Sequence, residues 1–331
     1  MNGPALRDDP KLLIKDLHFD GVPVRLYHPK KPSVGTRRGM VYLHGGVGLL
    51  GSIQAYDRVC RYIARRSDTV VLCIEYRLSP ENPYPVQLTD CRVAIIHFMK
   101  NAEHYGVDPN RISLCGDSSG GTFCALFCQE LVTRADLPRL KGQILIYPFL
   151  QALDFNLPSY QQNHSVPILF KKRAIQFGME FLGLNSKDAD RLMINAHVPA
   201  DIKMKFSKWI SAENIPEEFK VRGYVKPQPA PFSETLYEKC KALIYEISPL
   251  IAEDAIIQQL PDTFLLTCEY DVVRDDGILY KKRLEEKGVP VSWYHDKNGF
   301  HGKQFLINYG FLEFPGTRKN MQRLIQFLEG L

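Results

Sequence analysis

The stretch RISLCGDSSGGTF, residues 111–123, decides how this chain is read. Arg111–Cys115 has the pattern of a short buried strand, and Ser119–Thr133 has helical spacing. Between them, Gly116-Asp117-Ser118-Ser119-Gly120 fits G-x-S-x-G. A serine on so tight a strand-to-helix turn needs glycines two before and two after it, because the chain passes close to itself there. Its hydroxyl then stands at the C-terminal edge of a sheet, over a helix N-terminus whose free N–H groups favour developing negative charge. Three fixed residues are a weak pattern alone; the strand–turn–helix setting gives them meaning.

Upstream, Met40–Leu43 reads as a strand running into His44-Gly45-Gly46, where small residues leave backbone N–H groups free to face a site. Leu17 to Leu26 alternates around Asp20-Gly21 as a hairpin, residues 54–66 are helical, and Thr69–Tyr76 is an apolar run suited to a strand buried on both faces. A helix is expected at 86–104 and a strand at Gln143–Leu150. Strands alternating with helices imply a mostly parallel sheet with helices on both faces. From 151 to 245 the rhythm breaks into helical stretches (171–184, 234–247) and Pro-rich connectors, and it resumes at Thr263–Cys268. A helix at 275–288, a strand at Val289–His295 and a helix at 318–330 follow. The expected organisation is an α/β core of residues 1–150 and 246–331 carrying a helical cap insertion, 151–245.

A serine nucleophile needs a base and an acid that holds the base. Asp271 ends the strand Thr263–Cys268, and His301 follows Val289–His295 by six residues. Asp275 and Asp276 compete for the acid's role, but their place suits capping of the following helix. Phe149, Tyr160 and Phe206 are candidates to line a pocket or to fill the core.

Composition narrows the function classes. Lys plus Arg is 42 against 37 Asp plus Glu, a net +5, with no run of five like charges, so nothing points to nucleic acid. No apolar stretch is bilayer-sized, and the first 16 residues lack the apolar region of a secretory signal. None of the 8 cysteines forms a C-x-x-C pair, and most read as reduced core residues. No metal or other cofactor is expected. Asn163-His164-Ser165 is a glycosylation sequon that matters only in a secretory lumen.

HGG at 44–46, YRLSPENPYP at 76–85, GDSSGG at 116–121, YDVVRDDG at 270–277 and GFHG at 299–302, together with LIYPFLQALDFNLPSYQ at 145–161, resemble the hormone-sensitive-lipase (GDXG) branch of the α/β hydrolases. Within it the chain is similar to the arylacetamide deacetylase-like proteins, from about residue 16 to the end. The resemblance implies an α/β-hydrolase fold and a microsomal serine esterase acting on carboxylic esters and arylacetamides, small molecules in either case. It assigns Ser118 as nucleophile, Asp271 as acid and His301 as base. His44, Gly45, Gly46 and the N–H of Ser119 would form the oxyanion hole. A ligand-binding member of the same fold is the alternative, disfavoured by an intact set of three.

The sequence departs from that pattern in three ways. Val47 stands where a third glycine is usual, and a β-branched residue does not take positive φ comfortably, so the loop is expected to shift through Gly48. Leu49 stands where relatives have a cysteine able to pair with Cys268, which is therefore expected to be free. Few residues precede His44, so the relatives' membrane anchor, with part of the cap, is expected to be missing. The chain would then be soluble where its relatives are microsomal. Together these departures suggest an open pocket.

Overall fold

The structure is a computed structural model and describes residues 9–331; the reading of residues 1–16 as lacking a secretory signal falls partly, at 1–8, outside the described residues. Eight strands form one sheet: β1 (Leu12–Phe19), β2 (Val22–Pro29), β3 (Arg37–Leu43), β4 (Thr69–Ile74), β5 (Val107–Asp117), β6 (Gly142–Ile146), β7 (Asp262–Tyr270) and β8 (Val291–Phe300). Their order is β1-β2-β4-β3-β5-β6-β7-β8. β1 and β2 are a hairpin and β2 runs antiparallel to β4; every other pairing is parallel. Asp20 and Gly21 both take positive φ, the twist a two-residue hairpin turn requires.

The alternation of the strands assigns each side chain to one of two cores. Val41, Leu43, Val70, Leu72, Leu114 and Leu145 face α2 (Val86–Lys100) and α3 (Ser119–Leu131), while Met40, Tyr42, Val71, Cys73, Cys115 and Ile144 face α1 (Ile53–Ser67). Between β6 and β7 the described chain contains no strand, only α4 (Pro158–Gln162), α5 (Lys171–Phe181), α6 (Ala189–Met193), α7 (Ala200–Phe206), α8 (Glu234–Tyr245), α9 (Asp254–Ile257) and short 3-10 turns. α10 (Arg274–Glu286) joins the first face and α11 (Thr317–Gly330) the second. The helical segment leaves and returns at one place: Leu250 N–H donates to Leu150 O (3.0 Å) and Ala152 N–H to Ser248 Oγ (2.9 Å).

Among the strand ends that differ from the sequence reading, two matter to the site. β6 stops at Ile146 rather than Leu150, because Tyr147 turns to φ 37° and Pro148 has no N–H to donate. β8 runs past His295 to Phe300, since after an irregularity Phe300 pairs with Tyr270. His301 thus follows the strand directly instead of standing six residues beyond it. All eight cysteines are buried and free, Cys268 included. No helix among the described residues is long and apolar enough to cross a membrane.

Candidate active site

β5 delivers Ser118 at φ 55°, ψ −124°, a conformation that costs an L-residue on the order of 1–3 kcal/mol. The turn is locked by its surroundings. Ser118 N–H donates to Ile146 O (2.9 Å), and a Cβ on Gly120 would fall on the carbonyl of Leu43, as one on Gly116 would on that of Gly120. α3 begins at the next residue, so its N-terminus lies beside the hydroxyl.

Three chain-distant side chains meet here. Ser118 Oγ lies 2.8 Å from His301 Nε2, and His301 Nδ1 lies 2.8 Å from Asp271 Oδ2. A carboxylate only accepts, so Nδ1 carries the proton and Nε2 is free to accept from the serine. Asp271 is fully buried and its second oxygen accepts the N–H of Val273 (3.0 Å), which fixes its plane. Tyr147 packs on the His301 ring at 4.8 Å.

The acid turn is stitched to the helical segment. Asp275 accepts from Ser159 N–H (2.7 Å) and from the buried Arg274 Nε (2.8 Å). Asp276 accepts from Leu150 N–H (3.0 Å) and Gln151 Nε2 (3.0 Å), with Tyr160 Oη at 3.3 Å. These are the aspartates read from sequence as helix caps. The position before the helix is Val273, with no side-chain cap, and both carboxylates reach outward to hold residues 150–160. Burial, aided by the neighbouring Asp275, pushes the Asp276 carboxyl up to about 8 despite its three donors. Asn163 is also buried; its Nδ2 donates to the carbonyls of Glu269 (3.0 Å) and Asp271 (2.9 Å). A glycan on that nitrogen is incompatible with the folded site.

The HGG loop differs from expectation in two respects. Val47 does take positive φ, 58°, between Gly46 at 111° and Gly48 at 66°, so the loop keeps its path and the valine carries the strain. Its N–H donates to Ser119 Oγ at 2.7 Å. Gly45 N–H is not free: it donates to Asp117 Oδ1 (3.0 Å), a buried carboxylate that also accepts from Tyr42 (3.1 Å) and Tyr56 (2.9 Å). Burial raises the Asp117 carboxyl, and these donors oppose the shift. His44 is a buttress; its ring stacks on Tyr76, whose hydroxyl donates to His44 O (2.7 Å), and burial lowers the imidazole to about 4. Among the residues assigned to the oxyanion hole, the N–H groups of Gly46 and Ser119 have no acceptor in the described chain.

Above the serine is an apolar cavity of about 60 Å³. Val47, Ser118, Ser119 and Phe149 form its floor side, and Tyr160, Ile175, Phe181 and Leu243 from the helical segment wall it in. Of the three lining candidates, Phe149 and Tyr160 are here; Phe206 lies in a separate groove with Asp154 and Lys203. Ala174, Gly178 and Phe181 follow helical spacing, so the wall made by α5 was readable as one face of a helix, though not as the wall of a pocket. The Val47–Ser119 bond had no signal in sequence.

A sequence model described as the alpha/beta hydrolase fold matches residues 40–210 and 228–305. The chain belongs to the α/β-hydrolase family. Within it, this α/β hydrolase is 45% identical over 329 residues to human arylacetamide deacetylase-like 3, covering 99% of the chain and 81% of that relative. It is 39% identical to bovine arylacetamide deacetylase, covering 89% of the chain and 75% of the relative. In fold, the hydrolase superposes on the thermophilic carboxylesterase EstE1 with a TM-score of 0.70 at 24% identity, covering 98% and 90% of the two chains. Carboxyl esterase 2 of Tuber melanosporum matches with the same TM-score at 21% identity, covering 99% and 89%.

Proposed function

We propose that the protein hydrolyses small carboxylic esters or arylacetamides through an acyl-serine intermediate. The observation that carries this is the continuous line from Ser118 Oγ through His301 to the buried Asp271, both contacts 2.8 Å. His301 Nε2 takes the Ser118 proton as Oγ attacks the acyl carbon, and later gives it to the leaving alkoxide or amine. Asp271 holds the tautomer and stabilises the imidazolium. The free N–H groups of Gly46 and Ser119 receive the oxyanion, while Gly45 and His44 support the loop. Water, activated by the same imidazole, then releases the acid.

Residues 151–245 serve as a cap on a core made of the rest. The cap determines the acyl group. A water needs about 10–15 Å³ of such space, so a cavity of about 60 Å³ admits an acyl group of a few carbons. Short acyl chains are thus preferred because the pocket is small and walled, not because it is open. Similarity to arylacetamide deacetylases supports an acetyl-sized group on an aromatic amine or alcohol. The test is turnover of nitrophenyl esters across an acyl-length series, with Ser118→Ala as control. Activity should be highest for acetyl to butyryl esters and absent in Ser118→Ala; an organophosphonate should label Ser118 and not Ser119. Labelling that survives Ser118→Ala, or turnover that rises steadily with chain length, overturns the reading.

A further inference from the structure

We propose that the hydroxyl of Ser119 is itself an oxyanion donor, oriented by the backbone of Val47. This rests on the acyl-serine reading above and adds a group to it. Of the loop's N–H groups, Gly45's is committed to Asp117 and Val47's to Ser119 Oγ. Of the four assigned residues, Gly46 and Ser119 then offer the oxyanion uncommitted backbone N–H groups. Ser119 Oγ, however, accepts from Val47 at 2.7 Å and has no acceptor of its own among the described residues. The side chain is buried and lines the same cavity as Ser118 and Val47. A hydroxyl that accepts an N–H bond is a stronger donor through its own proton. Because Ser119 and Ser118 line the same cavity, that proton is available to the substrate carbonyl oxygen as it becomes negative.

The arrangement also gives Val47 a use for its unfavourable backbone. Positive φ at residue 47 aims its N–H at the hydroxyl, and the hydroxyl relays that polarity one atom further. No proton is transferred; the Ser119 O–H bond stays intact while its hydrogen bond to the oxyanion strengthens as charge develops. Such a contact acts in the transition state rather than on bound substrate.

Ser119→Ala should therefore lower kcat by ~100-fold, the usual loss for one side-chain donor, with KM within threefold of wild type. Affinity for a trifluoromethyl ketone, which forms a tetrahedral oxyanion on Ser118, should fall in proportion to kcat/KM. Ser119→Cys keeps the shape with a weak donor and should fall at least tenfold, which covers the case where the alanine variant fails to fold. If either folded variant keeps kcat and ketone affinity within threefold, the freed Val47 N–H suffices and the inference is wrong. A fall in kcat with unchanged ketone affinity shows a merely structural role and also overturns it. Ser118→Ala separates the two claims: if it retains hydrolysis, the acyl-serine reading fails whatever Ser119 does.

Discussion

The loop at 44–51 and the turn at 268–276 both approach Ser118 from the C-terminal edge of the sheet, yet they are held in opposite ways. The loop is held through its backbone: Gly46, Val47, Gly48 and Gly51 all take positive φ, and its peptide groups are gripped by Tyr76, Asp117 and Ser119 from neighbouring elements. The turn is held by buried side chains, with Asp271, Asp275 and Asp276 each spanning to another element. The loop must present an N–H group to a charge that appears only during reaction, so Gly46 stays unspent while Gly45 and Val47 are tied. The turn must keep a carboxylate fixed and buried, so every neighbour is satisfied. Mutations that displace the loop's free N–H should therefore act on rate and those in the turn on stability, except at Asp271 itself.

The exception should give the largest effect. Asp271→Asn is expected to lower kcat by ~10⁴-fold through loss of the productive His301 tautomer, with the melting temperature changed little; near-normal ester turnover would break the comparison at its strongest point. Next, Asp275→Asn should destabilise the fold by about 2 kcal/mol, because the buried Arg274 keeps only Glu269 of its two carboxylate partners. Urea unfolding measures this, and the folded variant should keep kcat within tenfold.

Asp276 sharpens the contrast through pH. Its folded carboxyl titrates near 8, well above the unfolded value near 3.9. The folded state thus holds a proton that the unfolded state has lost, and this group's contribution to stability falls as pH rises from about 4 to 8. Asp276→Asn removes that slope. The melting temperature of wild type relative to the variant should therefore decline across this window and level off above it. A difference that stays flat would mean the carboxylate is charged in the fold.

The smallest effect belongs to the loop. Val47→Gly should gain about 1 kcal/mol by removing left-handed strain from a β-branched residue, less what glycine loses in chain entropy. Turnover should stay within threefold, since the N–H to Ser119 remains. A large fall in kcat would show that the isopropyl group shapes the pocket wall.

Much of this was legible in sequence because it depends on local pattern. Alternation and helical spacing located the strands and the longer helices to within a few residues, though not the short helices α4, α6, α7 and α9, and Ser118, Asp271 and His301 fell at strand ends where the fold brings them together. What failed were the readings of single residues whose partner is distant in the chain and marked by no motif. The carboxylates of Asp275 and Asp276 look like helix caps because their partners, Ser159 and Leu150, lie more than a hundred residues away. Gly45 looks like a free donor until Asp117 is seen beneath it. Val47 was expected to deflect the loop, but a strained residue persists where a hydrogen bond and the surrounding packing compensate.

One contact sets the order in which the molecule becomes competent. Ser118 and His301 are 183 residues apart, so the strained turn can form with its strand and helix while the imidazole awaits the last strand of the sheet. Closing so long a separation is slow relative to local structure. During refolding, helical signal should recover first and hydrolysis last. Any chain cut before residue 301 would display the serine and do nothing with it. Ester turnover is therefore a read-out of finished folding, a stricter one than solubility or helix content.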